Sequence, residues 1–595
     1  MRSTGWLRMV TGVLRGTPIK QAAATLIFAV LLTSVLIWNR GSIGCLKLVI
    51  ASSQEKSEML AKLATSYKNS GPTVGSPLNP VCVTVDVKQV YSGDAEAALE
   101  NNWTGQATIG PDGLATERPD VWAPASSAWV QLLLARAPGQ KGLIPDDYYR
   151  KTLFSSPLVI AMPKPMAEAL GYADPHGWQD LFALATNPAG WGSKGHPEWG
   201  RFKLGKTNPH VSTSGLHALV GMYDAIRADR NPDMVNTPAA RAFAAAIEQS
   251  VVHYGRTARD FLTSLQDVDS HSASDPNHLA VLQYVSAVAV EEKELVDYNR
   301  GEYATKKGTV PHVVLLPVYP EQSPTADHPY VSLSWPGKPA SKSMAATAFL
   351  NFLRADEQQR TADRNGFRQA NGRPGPWLSQ QVGVLSRQPN PLPGRSGAVL
   401  DAELKAWDQL RKPARVMILI NRSANGGALH DAITQLQESL IGFQPQDHVM
   451  VAAYPSQPDS AEPFLVIQPM TQTDSAHLER LRQAVNVPRL VLPSNAQSVL
   501  YLSLEGALEW MSASFVPTDI NAILLIEMSP RPGTQAAETK LLDRLRNQSP
   551  SRFVYVFAVG PEKDKVLTPI TLAGGGALYQ PDSARRFLND VISNF

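Results

Sequence analysis

Lys206-Thr207-Asn208-Pro209-His210-Val211-Ser212-Thr213-Ser214-Gly215 sets three hydroxyl residues ahead of a glycine and of the periodic apolar positions Leu216, Leu219, Val220, Met222, Tyr223 and Ile226. The spacing predicts a helix whose first turn is supplied with candidate caps. A helix start leaves backbone N–H groups unpaired and carries the positive end of a dipole, so it suits an anionic or polar group. An ordinary capped helix has the same signature. The surrounding chain decides between the two.

Upstream, the arrangement recurs. Leu46–Ala51 (LKLVIA) leads into Ser52-Ser53 and a helical pattern at Met59, Leu60, Leu63, Ala64 and Tyr67. Val81–Val90 ends in Tyr91-Ser92-Gly93 before a helix around Ala95–Leu99, and Pro119–Pro124 (PDVWAP) runs into Ala125-Ser126-Ser127-Ala128-Trp129. A strand delivering small hydroxyl residues to a helix start, three times over, argues for an α/β architecture from Cys45 to about Gln388. Ligands of open α/β sheets bind beyond the carboxyl ends of the strands. Ser52, Ser53, Ser92, Ser126 and Ser127 are therefore expected to converge with Ser212–Ser214.

Those residues sit in a 595-residue chain, long enough for several domains. Its 55 basic and 53 acidic residues give no electrostatic footprint for nucleic acid. Arg2, Arg8, Arg15 and Lys20 precede the uninterrupted apolar segment Ala22–Trp38, 17 residues that reach roughly 26 Å as a helix. The basic segment 1–21 should stay cytoplasmic, which puts everything after Arg40 outside the cell membrane. An uncleaved single-pass anchor over 22–38 is favoured over a cleaved signal peptide that would leave a secreted protein. The two cysteines, Cys45 and Cys82, each stand ahead of an apolar strand pattern. Adjacent parallel strands would bring them together as a disulfide in an exported protein; two unrelated thiols are the alternative.

The ordered segments LKLVIASSQEKSEML, YSGDAEAAL, RPDVWAPASSAWV, SPLVIAMPKP and GKTNPHVSTSGLHAL, with VYPEQSPTADHPYVSL at 318–333 and NGFR at 365–368, resemble a bacterial extracellular solute-binding protein of the two-lobed type II group. The resemblance covers about residues 45–387. It implies two α/β lobes joined by crossing strands, for which Pro157–Pro163 and Val313–Tyr319 are the candidates, with a ligand held between the lobes. The family's cleft contacts carry over onto Ser53, Ser92, Ser126, Ser127, Thr213, Ser214 and Tyr298. Such a cleft would take a small polar or anionic solute.

A Pro/Gly-rich connector, QPNPLPGRSG, and an amphipathic stretch with Leu400, Leu404, Trp407 and Leu410 form a linker over 388–412. Beyond it the strand patterns Val416–Ile420, His448–Ala453, Ala522–Ile526 and Arg552–Val559 alternate with helical ones, as in a doubly wound sheet. The order NRSANGG, LVLPSNAQSVLYLSLEGAL, AILLIEMS makes residues 413–595 similar to a von Willebrand factor A domain. Its metal-ion-dependent adhesion site would fall on Asn421, Ser423, Asn425, Ser498 and Glu527. Mg²⁺ or Ca²⁺ wants negatively charged oxygens, and only Glu527 supplies a carboxylate, so a degenerate site is expected and no cofactor is assigned.

No Gly-x-Ser-x-Gly elbow or marked Ser/His/Asp set occurs, and His210 reads as a surface turn residue. Glu291-Glu292-Lys293-Glu294 reads as a solvated helix face. The expectation is a non-enzymatic, membrane-anchored binding protein whose C-terminal domain meets a protein partner. An adhesion or scaffold protein with a ligandless binding fold is the alternative, and a secreted hydrolase a distant one.

Overall fold

The computed structural model describes residues 45–579, except 105–108, 111–112, 115–116, 172–176, 227–231, 256, 272–274, 388, 424–425, 441–442, 444, 456–461, 489, 491–498, 550–551 and 562–563. The segments 1–21 and 22–38 expected as cytoplasmic tail and anchor lie outside the described residues, as do Asn425 and Ser498. Among the described residues, no helix is long and apolar enough to cross a membrane.

The first strands are β1 (Leu46–Ser52), β2 (Thr73–Ser76), β3 (Asn79–Gln89), the small hairpin β4 (Ile109–Gly110) and β5 (Gly113–Leu114), and β6 (Val121–Ala123). Next come β7 (Ser156–Pro163), β8 (Leu204–Thr207), β9 (Val251–Gly255), β10 (Ala287–Glu291), β11 (Leu315–Val318), β12 (Thr325–Ala326) and β13 (Val331–Ser332). They form two sheets, ordered β13-β6-β1-β3-β2 and β11-β7-β10-β8-β9, with β12 pairing β7. β1 lies between parallel β3 and β6 and is buried from Leu48 to Ser52. Covered on both faces, it has the continuous apolar run of a central strand rather than an alternating one. The register Leu46↔Val83 sets the two preceding residues opposite each other, and Cys45 and Cys82 form a disulfide with Cα atoms 4.7 Å apart.

Three segments pass together between these sheets. Thr152 bridges Pro329, Leu153 N–H donates to His328 O at 3.1 Å, and Ser155 and Arg368 exchange two backbone bonds of 2.9 Å. The crossings are thus residues 152–156, 325–330 and 368, not the expected Pro157–Pro163 and Val313–Tyr319. Those two stretches pair inside the second sheet as β7 and β11. The physical reason is burial: Leu158–Met162 are fully enclosed, and an apolar run of that kind is stabilised in a sheet interior rather than in an exposed link.

The remaining strands are β14 (Ala414–Asn421), β15 (His448–Tyr454), β16 (Leu465–Gln472), β17 (Ile520–Ile526), β18 (Val554–Val559) and β19 (Gly575–Tyr579). Their sheet runs β16-β15-β14-β17-β18-β19, parallel except for the edge strand β16. Helices Gly426–Ser439, Leu500–Ala513 and Gln535–Arg546 alternate with its strands. The helix Gly397–Leu410 connects the two halves; it packs on the helix Ser127–Arg136 and on the helices Thr213–Ala225 and Pro238–Ser250.

Candidate functional site

Hydroxyl residues from both sheets meet where their strands end. Ser53 directly precedes the helix Gln54–Asn69 after β1, Ser92 opens the helix Ser92–Glu100 after β3, and Thr213 and Ser214 open the helix Thr213–Ala225 after β8. They line one cleft with Glu55 and Glu291, enclosing about 340 Å³ including the space at its mouth. Two more helices, Ala258–His271 and Glu292–Asn299, begin at the same wall.

The hydroxyl oxygens are already engaged as acceptors. Ala125 N–H donates to Ser92 Oγ (3.1 Å), Trp129 Nε1–H to Thr213 Oγ1 (2.8 Å) and Glu291 N–H to Ser214 Oγ (3.2 Å). Each of these three hydroxyls has its own proton to offer a ligand, whereas that of Ser53 goes to Glu55. Across the cleft the lobes touch directly, Gly93 N–H donating to Val211 O at 3.2 Å. A Cβ at Gly93 would lie 1.9 Å from His210 O, so only glycine fits this approach.

Ser126, Ser127 and Tyr298 fall outside this wall. Ser126 caps the helix Ser127–Arg136, accepting from Ala128 N–H, and its Oγ meets His217 Nε2 at 3.1 Å. Ser127 N–H donates to Asp327 Oδ1 at 2.7 Å. Tyr298 is fully enclosed in the core behind β10, with its hydroxyl on Val313 O. A phenol on the inward face of a helix is held by apolar packing and one carbonyl, so it is a core residue here.

The carboxylates were not anticipated. Glu291, Glu292, Lys293 and Glu294, read from sequence as a solvated face, are all buried. Each of the last three has a partner brought by the fold: Arg368 and Tyr319 for Glu292, Asp297 for Lys293, Tyr303 for Glu294. Burial pushes the Glu291 carboxyl well above the usual range, aided by the neighbouring Glu55 and Glu294 charges. The available signal was the position of the run, directly behind the buried strand Ala287–Val290.

One donor atom each from Glu55, Glu291 and His328 lie within 4.8 Å of one another beside the cleft. The ammonium of Lys56 already stands beside two of them, 3.2 Å from Glu55 Oε1 and 3.3 Å from His328 Nδ1, and it also reaches Ser53 Oγ and Pro124 O. The Glu55 and His328 Nδ1 donors are therefore already turned to a side-chain ammonium.

His217 offers a test of this interior. Burial holds its imidazole at about 4, against 6.5 for an exposed one, so it is neutral when folded and takes a proton more readily when unfolded. Its contribution is complete above pH 6.5 and is lost as pH falls from there toward 4. The difference between 6.5 and about 4 corresponds to about 3 kcal/mol. Denaturant unfolding of the wild type between pH 7 and pH 4 should fall more steeply than that of His217→Gln. Parallel curves would contradict a buried neutral imidazole.

In the C-terminal sheet, the described members of the expected adhesion site satisfy one another. Asn421 Nδ2 donates to both oxygens of Glu527 (2.8 and 2.7 Å), which also accept from Tyr454 O–H (2.6 Å) and Ser529 N–H (2.8 Å). Asn421 Oδ1 accepts from Ser423 N–H and O–H at 2.9 and 2.7 Å. The amide thus does for Glu527 what a cation does between carboxylates. Asn421, Ser423 and Glu527 do not fit a hard divalent ion, which needs oxygens turned toward it.

A model of the bacterial extracellular solute-binding protein family matches residues 48–368, more than half of the chain. Uncharacterized proteins from two strains of Mycobacterium tuberculosis are each 26% identical over 376 residues, covering 60% of this chain and 50% of theirs. The chain thus spans about half the length of the curated relatives it matches. Among solved structures, apo ferric ion-binding protein A of Pasteurella haemolytica aligns with a TM-score of 0.39 at 10% identity, covering 61% of this chain and 97% of its own. A von Willebrand factor type A protein from Catenulispora acidiphila aligns with a TM-score of 0.25 at 15% identity, covering 31% and 42% respectively. On the family match across both lobes and the cleft between them, the chain belongs to the bacterial extracellular solute-binding proteins.

Proposed function

We propose that this chain captures a small polar solute in the cleft between its lobes and makes the bound state available to a protein partner through its C-terminal domain. In this reading the segment 22–38 anchors it to the cytoplasmic membrane, with the remainder extracytoplasmic, and residues 413–595 form a von Willebrand factor A-like interaction domain. The observation that carries it is the convergence of Ser53, Ser92, Thr213 and Ser214, from two different sheets, on one cleft. The Ser53 hydroxyl donates to Glu55, whereas the protons of Ser92, Thr213 and Ser214 face the cleft and favour a solute with acceptor oxygens. Glu55, Glu291 and Glu294 stand in the wall, and the Lys56 ammonium beside them is already spent on Glu55 and Ser53, which disfavours a bare oxyanion and favours a neutral or zwitterionic solute. The role is binding rather than catalysis.

Thermal unfolding of the full chain against sugars, amino acids and oxyanions tests this. A solute bound to the native state at 100 times its Kd should add about 2.7 kcal/mol of stability. Ser214→Ala combined with Ser92→Ala should remove that gain. If no class of solute raises the melting temperature, the scaffold reading takes over. The closed Gly93–Val211 contact and the carboxylates already filling the wall are what favour it.

A further inference from the structure

The helix Gly397–Leu410 touches both lobes. Toward the first lobe it lies on the helix Ser127–Arg136, which follows β6: a Cβ at Gly397 would sit 2.0 Å from Gln131 O, and Arg136 Nε donates to Asp401 at 2.8 Å. Arg136 also reaches Glu96, on the helix that begins at Ser92. Toward the second lobe, Asp408 accepts from His210 Nε2 at 2.7 Å, and Trp407 packs edge-on against the same imidazole. Arg241 reaches Gln409 at 3.0 Å, and Arg395, just ahead of the helix, reaches Asp224 at 3.2 Å.

His210 is the decisive contact. It precedes Val211, whose carbonyl receives the Gly93 N–H across the cleft, so the loop that closes the lobes is the loop the helix holds. Toward the C-terminal sheet the connection is equally short. Arg411 pairs with Asp447 (2.9 Å), Asp447 Oδ1 accepts from Ala414 N–H at the start of β14 (2.8 Å), and Gln446 Nε2 donates to Asp408 O (2.7 Å). Asp447 is fully buried and directly precedes β15. Leu400, Leu404 and Trp407 belong to the same apolar cluster as Val416 and Ile418 of β14.

We propose that the helix Gly397–Leu410 is a strap that couples closure of the solute cleft to the packing at the start of β14 and β15, so that the C-terminal domain senses whether the cleft is open. Separating the lobes must pull the helix from Gln131 and Arg136 or from His210 and Arg241, because it cannot follow both. Either way the Asp408–Gln446 and Arg411–Asp447 links are strained at the β14–β15 end. Coupling of this kind is reciprocal. The proposal rests on reading the cleft as one that opens and closes, and it requires no identified solute.

Hydrogen exchange on the full chain, without solute, tests it. Gly93→Val wedges the lobes apart; exchange should rise about tenfold in residues 397–412 and 445–450 as well as at 208–214, with 554–559 unchanged. In the other direction, Gly397→Leu prises the strap from the helix Ser127–Arg136 and should speed exchange at 208–214. Faster exchange at 208–214 in Gly93→Val with 397–412 and 445–450 unchanged overturns the strap. So does a Gly397→Leu variant that leaves 208–214 protected. If Gly93→Val raises exchange uniformly by unfolding, the Gly397→Leu result alone decides. Failure here with solute-induced stabilisation retained would remove the strap and leave the binding function standing.

Discussion

Gly93→Val is expected to abolish solute-induced stabilisation while leaving both lobes folded. A Cβ at this position would lie 1.9 Å from His210 O, 2.7 Å from His210 C and 2.9 Å from Val211 Cα. All three are backbone atoms, so no rotamer change relieves the clash. The opposing loop is also pinned, with His210 N–H on Asn208 Oδ1 at 2.9 Å and the imidazole on Asp408. Moving from 1.9 Å to an ordinary contact near 3.4 Å needs a separation of about 1.5 Å, and a branched side chain needs more. Four of the wall hydroxyls are divided between the two lobes, so a wedge of this size takes one set out of reach of a ligand held by the other. A loss of at least about 100-fold in affinity is expected, near 2.7 kcal/mol. Titration of the best solute into wild type and variant measures it. A variant that keeps wild-type affinity would show that closure at Gly93 has no part in binding.

The elements that place Gly93 there were legible in the chain because their causes are local. Apolar runs such as Leu46–Ala51 and Val416–Ile420 have the length and composition of buried parallel strands, and each is a strand in the structure. The residue after such a strand starts a helix, so Ser53, Ser92, Thr213 and Ser214 could be placed at the strand ends and they line the cleft. Ser126 and Ser127 follow the same local rule, yet Ser126 caps its helix with its Oγ on His217, and Ser127 N–H is held by Asp327, both distant in the chain. Nothing within a few residues of Ser126 encodes that packing. The edge strand β16 was missed for a different reason: Leu465 and Val466 are 40% and 44% exposed, and a solvent-facing edge need not carry an apolar pattern. The acidic run at 291–294 was misread because its partners are distant. Glu292 finds its cation at Arg368, 76 residues away, and no periodicity reports a contact of that range.

Breaking that same pair should cost a large part of the stability. Arg368 and Glu292 are both fully enclosed, joined by two bonds, Nε to Oε1 at 2.7 Å and Nη2 to Oε2 at 2.6 Å. Arg368 spends its other donors on the carbonyls of Gly372, Arg387 and Leu385, while Tyr319 O–H also donates to Glu292. The guanidinium thus ties the second lobe's helix Glu292–Asn299 to the segment 368–387, at the crossing where Ser155 and Arg368 exchange backbone bonds. Arg368→Ala would strand a buried carboxylate with one remaining side-chain donor and leave three carbonyls without their N–H partners. Breaking a buried pair from one side costs about 3–5 kcal/mol, most of it desolvation of the orphaned charge. Glu292→Gln should cost less, since a neutral amide leaves no bare charge and still accepts one bond. The double variant Arg368→Met with Glu292→Leu should recover much of the loss, because two apolar groups of similar volume need no partners. Chemical denaturation of the four proteins measures the series. A double variant no more stable than Arg368→Ala would mean that the three carbonyl contacts, rather than the Glu292 charge, dominate at this hinge.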